Sequence, residues 1–287
     1  MNPIDPSLRI RSVELAVGDL PRSADFYERV LGLALIARDE RTATLGTDPE
    51  RPALVLTSIA SPTPAPPRST GLYHVAWLHP TRAALADTVR RIASARWRFD
   101  GASDHGVSEA LYISDPDGLG IEIYVDRPRE QWRRPADGHG VEMVTLPLDV
   151  DNLLEQAGEQ PSAAMAQGTH VGHVHLKVAD VPRANAFYRD ALGFEEQAHI
   201  PSAAFLAAGG YHHHVGLNSW ESRGGAPAPD DAPNLRRVAF ELGDANAVDA
   251  LERALADAPS ETHVSREQDG SLSLRDPDGQ LLAFAHR

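Results

Sequence analysis

The chain has 287 residues, of which 27 are basic and 41 acidic, giving a formal net charge of −14, and 42% are hydrophobic. That apolar fraction supports ordinary packed cores and excludes disorder as the main state, while the excess of carboxylates repels phosphate backbones and anionic lipid, so nucleic-acid and membrane partners are not expected. Cysteine is absent, which excludes disulfides, thiolate nucleophiles and zinc–sulfur sites and leaves imidazole, carboxylate or water to hold any metal.

No stretch approaches the roughly 18 apolar residues of a membrane helix, and the opening segment lacks the apolar centre of a signal peptide, so a cytoplasmic protein is expected. In chain order, an alternating strand at VELAV leads through a capping Asp19 and Pro21 into a helix with apolar positions at Phe26, Val30 and Leu33. Further strands complete a first module over 8–60. After the spacer SPTPAPPRST, a second module over 71–127 has the strand LYHVAWL and the helix TRAALADTVRRIASA. Its closing strands EALYI and GIEIYV are joined at Asp115-Pro116-Asp117-Gly118, which reads as a turn and not a calcium loop. A connector over 128–170 carries the basic run RPREQWRRP, read as solvated, and a short helix at VDNLLEQA. Module three spans 171–221. Module four, 235–287, follows the spacer SRGGAPAPDDAPN with strand RRVAFEL, helix NAVDALERALADA and closing strands SLSLR and QLLAFAH.

The chain also compares with itself at a shift of 161 residues. Ser12–Leu33 lies over His173–Phe194 with 10 of 22 positions identical, and the same shift lays the segment from Ile113 over that from Leu274. Two related halves, 1–127 and 171–287, therefore each hold two βαβββ modules, giving an α+β fold of four modules.

A strand, then Asp19-Leu20-Pro21-Arg22-Ser23 with Phe26-Tyr27, then Leu31-Gly32-Leu33, and later Asp115-Pro116-Asp117-Gly118 before Ile121-Glu122-Ile123-Tyr124, resembles the vicinal oxygen chelate superfamily. Its members include extradiol ring-cleaving dioxygenases, glyoxalase I, fosfomycin-resistance enzymes and bleomycin-binding proteins. The four-module layout, with GLYHVAW, GASDHGVSEALYISDPDG and GGYHHHVGLN, is similar to bacterial catechol-2,3-dioxygenase-like proteins. The resemblance implies two cups of paired modules, in which each module supplies one ligand from its first strand and one from its last.

Projected through the repeat, those positions are Ser12 and His173, His74 and Arg237, Glu122 and Ala283, and Ala53 and His214. Every ligand-capable residue falls in modules two and three, so the resemblance implies that these two pair and that His74, Glu122 and His173 hold a divalent metal. Two imidazoles and a carboxylate form the facial triad of non-haem oxygenases, which points to Fe(II), with Mn(II) or another divalent ion as alternatives. His214 corresponds to the acid–base histidine of the extradiol enzymes, or else is a fourth ligand. On a strand His212 would share its face while His213 points away.

His105, Tyr112, His175 and His212 are expected to meet substrate. The remaining histidines, including His79, read as exposed or structural. The implied activity is extradiol cleavage of a catechol or related vicinal diol by O2. A glyoxalase-like isomerase or lyase, and a non-catalytic protein that binds an aromatic compound or antibiotic, are the alternatives. A homo-oligomer is compatible with this reading.

Overall fold

The computed structural model describes residues 3–160, 162–256 and 263–287. Four βαβββ modules follow one another. The first comprises β1 (Arg9–Val17), α1 (Leu20–Arg29), β2 (Ala34–Arg38), β3 (Thr42–Gly46) and β4 (Leu54–Ser58). The second comprises β5 (Gly71–Leu78), α2 (Arg82–Ser94), β6 (Gly101–Asp104), β7 (Ser108–Ser114) and β8 (Gly120–Asp126), and the connector carries α3 (Val150–Leu154). In the third, β9 (His170–Lys177) and α4 (Val181–Ala186) precede β10 (Glu195–Ile200), β11 (Ala203–Ala207) and β12 (Val215–Asn218). The fourth has β13 (Asn234–Leu242), α5 (Ala245–Leu255), β14 (Val264–Arg266), β15 (Leu272–Arg275) and β16 (Leu281–His286). The helix expected at NAVDALERALADA is thus seen as α5, and its last two positions, 257 and 258, lie outside the described residues.

Each of the four module helices starts where a side chain satisfies an otherwise orphaned backbone N–H. Asp19 accepts from the Arg22 N–H, Thr81 from Ala84, Asp180 from Arg183 and Asp244 from Ala247. Within every module the first strand pairs in parallel with the last: β1 with β4, β5 with β8, β9 with β12 and β13 with β16. A parallel pair cannot be closed by a tight turn, and the helix and the intervening strands provide the crossover.

Modules then join through their first strands. β1 runs antiparallel to β13, and β5 antiparallel to β9, giving two eight-stranded sheets in the orders β14-β15-β16-β13-β1-β4-β3-β2 and β10-β11-β12-β9-β5-β8-β7-β6. Modules one and four share one sheet, and modules two and three share the other. The helices cover one face of these sheets, where Leu15, Val17, Phe26 and Tyr27 pack in the first module and Phe194, Phe240 and Phe284 in the second half.

The repeated Asp-Pro-Asp-Gly turns staple consecutive modules together. The Asp115 carboxylate accepts from the backbone N–H groups of Asp117 and Leu119, both at 2.8 Å, and from the Tyr27 hydroxyl of module one at 3.2 Å. Asp276 repeats this with Asp278, Gln280 and Tyr188. The second aspartates, Asp117 and Asp278, accept from the Gly18 and Ala179 N–H groups, both at 2.9 Å. Gly118 closes its turn at a φ of 84°, a left-handed conformation that glycine adopts without a Cβ penalty.

Candidate metal centre

Three neighbouring strands set the centre. On β5, Ala76 is paired with His173 of β9 on one side and with Glu122 of β8 on the other, while His74 lies two residues earlier and therefore on the same face. The same row in the other sheet reads Ser12, Ala239 and Ala283, with Arg237 in the place of His74. None of these four residues carries an imidazole or a carboxylate.

The donors converge. Glu122 Oε2 stands 2.9 Å from His74 Nε2 and 3.2 Å from His173 Nε2, and the two imidazole nitrogens are 3.4 Å apart. Among the described residues these three form the group whose potential ligand atoms all lie within 4.8 Å of one another. All three side chains are buried. Burial alone would raise the Glu122 carboxyl, but the adjacent His173 and His74 more than reverse it and hold it well below the usual carboxylate range. Burial lowers His173 to about 4 despite the carboxylate beside it, so its imidazole is neutral near pH 7. A carboxylate oxygen and two imidazole nitrogens aimed at one buried point fit a divalent cation, and the N,N,O set leaves further coordination positions for substrate.

The centre opens into a cavity of about 1280 Å³. Its inner wall includes Tyr73, Tyr112, His175, Phe205, His213 and Trp220. Tyr73 meets His175 and Trp220 edge-on, with centroids 5.2 and 5.3 Å away. Tyr112 is paired with Glu122 across the strands, and its hydroxyl is 2.7 Å from His105 Nε2, while His105 Nδ1 is 2.7 Å from the Val144 carbonyl oxygen. Burial and the Glu122 charge raise the Tyr112 hydroxyl well above its ordinary value, so it keeps its proton. The buried Nε2 of His175 has no partner among the described residues.

The triple-histidine segment departs from the expectation. Residues 212–214 form a bend ahead of β12, so the alternation of faces assumed for a strand does not apply. His213 enters the cavity, its ring centroid 4.0 Å from that of His173. His214 turns inward, where its Nδ1 accepts from the Ala208 N–H at 3.2 Å and burial lowers it to about 3, so it is neither a fourth ligand nor a cavity group. His212 is likewise not a lining residue. It is wholly buried, with Nε2 2.8 Å from Asp126 Oδ1 and Nδ1 2.8 Å from His213 Nδ1.

One further correction concerns the connector, while His79 takes one of the two roles expected of it. The connector is not a solvated strap: Trp132 is buried against Val107, Val141, Ala207 and Tyr211, and residues 141–145 form part of the cavity wall. His79 is structural, its ring nitrogens within hydrogen-bond reach of the Trp77 and Tyr124 carbonyls and the Thr88 hydroxyl. Neither role had a periodic signal.

Comparison with known proteins adds sequence and fold relatives. The family described as "Glyoxalase/Bleomycin resistance protein/Dioxygenase superfamily" matches residues 9–123 and 170–284. The "Catechol-2,3-dioxygenase" of Bacillus subtilis (strain 168) is 39% identical over 288 residues, covering 99% of either chain. The "Biphenyl-2,3-diol 1,2-dioxygenase 3" of Rhodococcus globerulus is 28% identical over 142 residues, covering 48% of this chain and 73% of its own. Among solved structures, a putative dioxygenase from Bacillus subtilis superposes with a TM-score of 0.70 at 16% identity, over 100% of this chain and 86% of the other. Glyoxalase I from Zea mays gives 0.58 at 20% identity, over 97% and 92%. At those identities the two structures speak to the fold alone.

Proposed function

Because this chain belongs to the glyoxalase/bleomycin resistance protein/dioxygenase superfamily, we propose that it is a metal-dependent extradiol-type dioxygenase that opens the ring of a catechol or related vicinal diol. The observation that carries this reading is the three-donor centre of His74, Glu122 and His173 at the floor of an aromatic-lined cavity. The full-length similarity to a catechol-2,3-dioxygenase supports the same choice. Three protein donors, and not four, also favour oxygen chemistry over a glyoxalase-type isomerisation, because substrate and O2 both need open positions. Fe(II) is the favoured ion and Mn(II) the alternative.

The metal, when bound, supplies Lewis acidity and the electron chemistry that O2 requires. Everything else falls to side chains. Tyr73, Phe205 and Trp220 offer an apolar, aromatic wall for a ring and keep bulk water from it. One hydroxyl proton of the diol has to leave as the substrate docks, and His213, which lines the cavity beside His173, takes that proton at its free ring nitrogen. In this reading His213 has the role that the resemblance implied for His214. The Val144 carbonyl can only accept, so His105 carries its hydrogen on Nδ1 and its Nε2 accepts from the Tyr112 hydroxyl, which keeps its proton and offers its oxygen as an acceptor to a hydroxyl of the incoming diol. The His175 ring adds to the same wall beside Trp220. Holding the diol against a fixed centre converts a three-body encounter into a local one.

The test is anaerobic purification, elemental analysis and an oxygen-uptake assay with catechol and Fe(II), run on the intact protein and on His173→Ala. Near-stoichiometric metal, oxygen uptake and a yellow ring-opened product, all lost in the variant, are expected. Metal without oxygen uptake moves the reading to an isomerase. Absence of metal from both proteins leaves a binding protein for aromatic compounds.

A further inference from the structure

Resting on the assignment of His213 as the proton acceptor, we propose that Asp126 and His212 are positioning residues that fix the His213 ring with its hydrogen on Nδ1 and leave Nε2 free for the substrate proton. The three groups form a line from the cavity outward. His213 Nδ1 is 2.8 Å from His212 Nδ1, and His212 Nε2 is 2.8 Å from Asp126 Oδ1. Asp126 is the last residue of β8, four positions after Glu122, and its side chain is about one-quarter exposed, whereas His212 is wholly buried.

The order of hydrogens follows from what each group can do. A carboxylate only accepts, so the hydrogen between Asp126 and His212 sits on His212 Nε2. In a neutral imidazole the other nitrogen is then an acceptor, so His212 Nδ1 receives its hydrogen bond from His213 Nδ1. That leaves His213 Nε2 unprotonated, the form a general base must have. A carboxylate behind a histidine sets the tautomer in the same way in serine hydrolases; here a second imidazole stands between them.

Packing locks the intermediate ring. His212 lies against Tyr211, with centroids 4.1 Å apart, and edge-on to Trp132 at 5.3 Å. The same Asp126 Oδ1 also accepts from the Tyr211 hydroxyl at 3.2 Å. This explains why a wholly buried imidazole and a carboxylate, neither of which reaches the cavity, sit behind it.

The experiment combines a tautomer measurement with kinetics on the full-length protein. Nitrogen-15 histidine NMR, with the His213 signal identified by its loss in His213→Gln, is expected to show a hydrogen on Nδ1 and none on Nε2. In Asp126→Asn the amide can donate to His212 and reverse the order, so His213 should gain hydrogen at Nε2. With catechol as substrate, kcat is expected to fall at least about tenfold, with KM and metal content unchanged, and Asp126→Glu should restore most of it. If Asp126→Asn fails to fold, His212→Phe keeps a ring between Tyr211 and Trp132 and should release the fixed tautomer.

A wild-type His213 with hydrogen on Nε2, a tautomer indifferent to Asp126 and His212, or a kcat loss matched by metal loss overturns the proposal. A tautomer that responds to Asp126→Asn in a protein that opens no diol ring supports the positioning and sinks the dioxygenase reading instead.

Discussion

At the scale of single residues, neighbours in the histidine run differ completely in what they can do. His213 faces the cavity, and its replacement by Gln is expected to lower kcat for ring opening by roughly 100- to 10,000-fold, the usual worth of a general base, with metal content retained. His214 instead accepts the Ala208 N–H in the loop that places the run. His214→Ala removes that acceptor from a buried donor and is expected to lower stability by about 1–3 kcal/mol, read by urea unfolding, with a much smaller effect on kcat than His213→Gln. Equal kinetic damage from both would contradict the assignment. The repeat register and the resemblance pointed to His214, and a strand period carried across a bend turned His213 away from the cup. His74, Glu122 and His173 were legible for the opposite reason: each lies within a paired strand, where register and face follow from spacing.

At the scale of elements, the turn aspartates make a prediction with a definite sign. Burial is the main cause that raises Asp115 and Asp276 to about 6 from the ordinary 3.8, although backbone N–H groups and a tyrosine hydroxyl oppose the rise. Between about pH 4 and 6 the folded state retains protons that the unfolded chain has released, so these two groups make stability fall as pH rises through that window. Asp115→Asn keeps an acceptor oxygen but cannot titrate. Relative to it, the native protein is expected to lose up to about 3 kcal/mol between pH 4 and 7. Urea unfolding across that range measures the difference, and a pH-independent gap would contradict the assignment. Both turns were visible as repeats of Asp-Pro-Asp-Gly, and both Phe-Tyr pairs were visible at the helices. That each tyrosine donates to the aspartate 88 residues later was not, because nothing local announces a side-chain partner at that distance.

For the whole molecule, the uneven distribution of ligands among four homologous modules implied that module two pairs with module three, and β5 beside β9 provides that pairing. The connector's part in the cavity wall was not legible, since an irregular segment has no period to read. The arrangement means that neither half owns the centre: His74 and Glu122 come from the first and His173 from the second. Neither half owns a complete sheet either, because β1 needs β13 and β5 needs β9. Separately produced 1–127 and 171–287 segments are therefore expected to expose the edges of β1, β5, β9 and β13 and to bind metal weakly or not at all. Mixing them should restore both sheets and near-stoichiometric metal, measured by elemental analysis after gel filtration. Recovery is expected to be partial, because Trp132 and residues 141–145 of the connector would be missing from the cavity wall. Tight metal binding by either half alone would show that its ligands can be assembled without the cross-half sheet, and would place the centre inside a single pair of sequential modules.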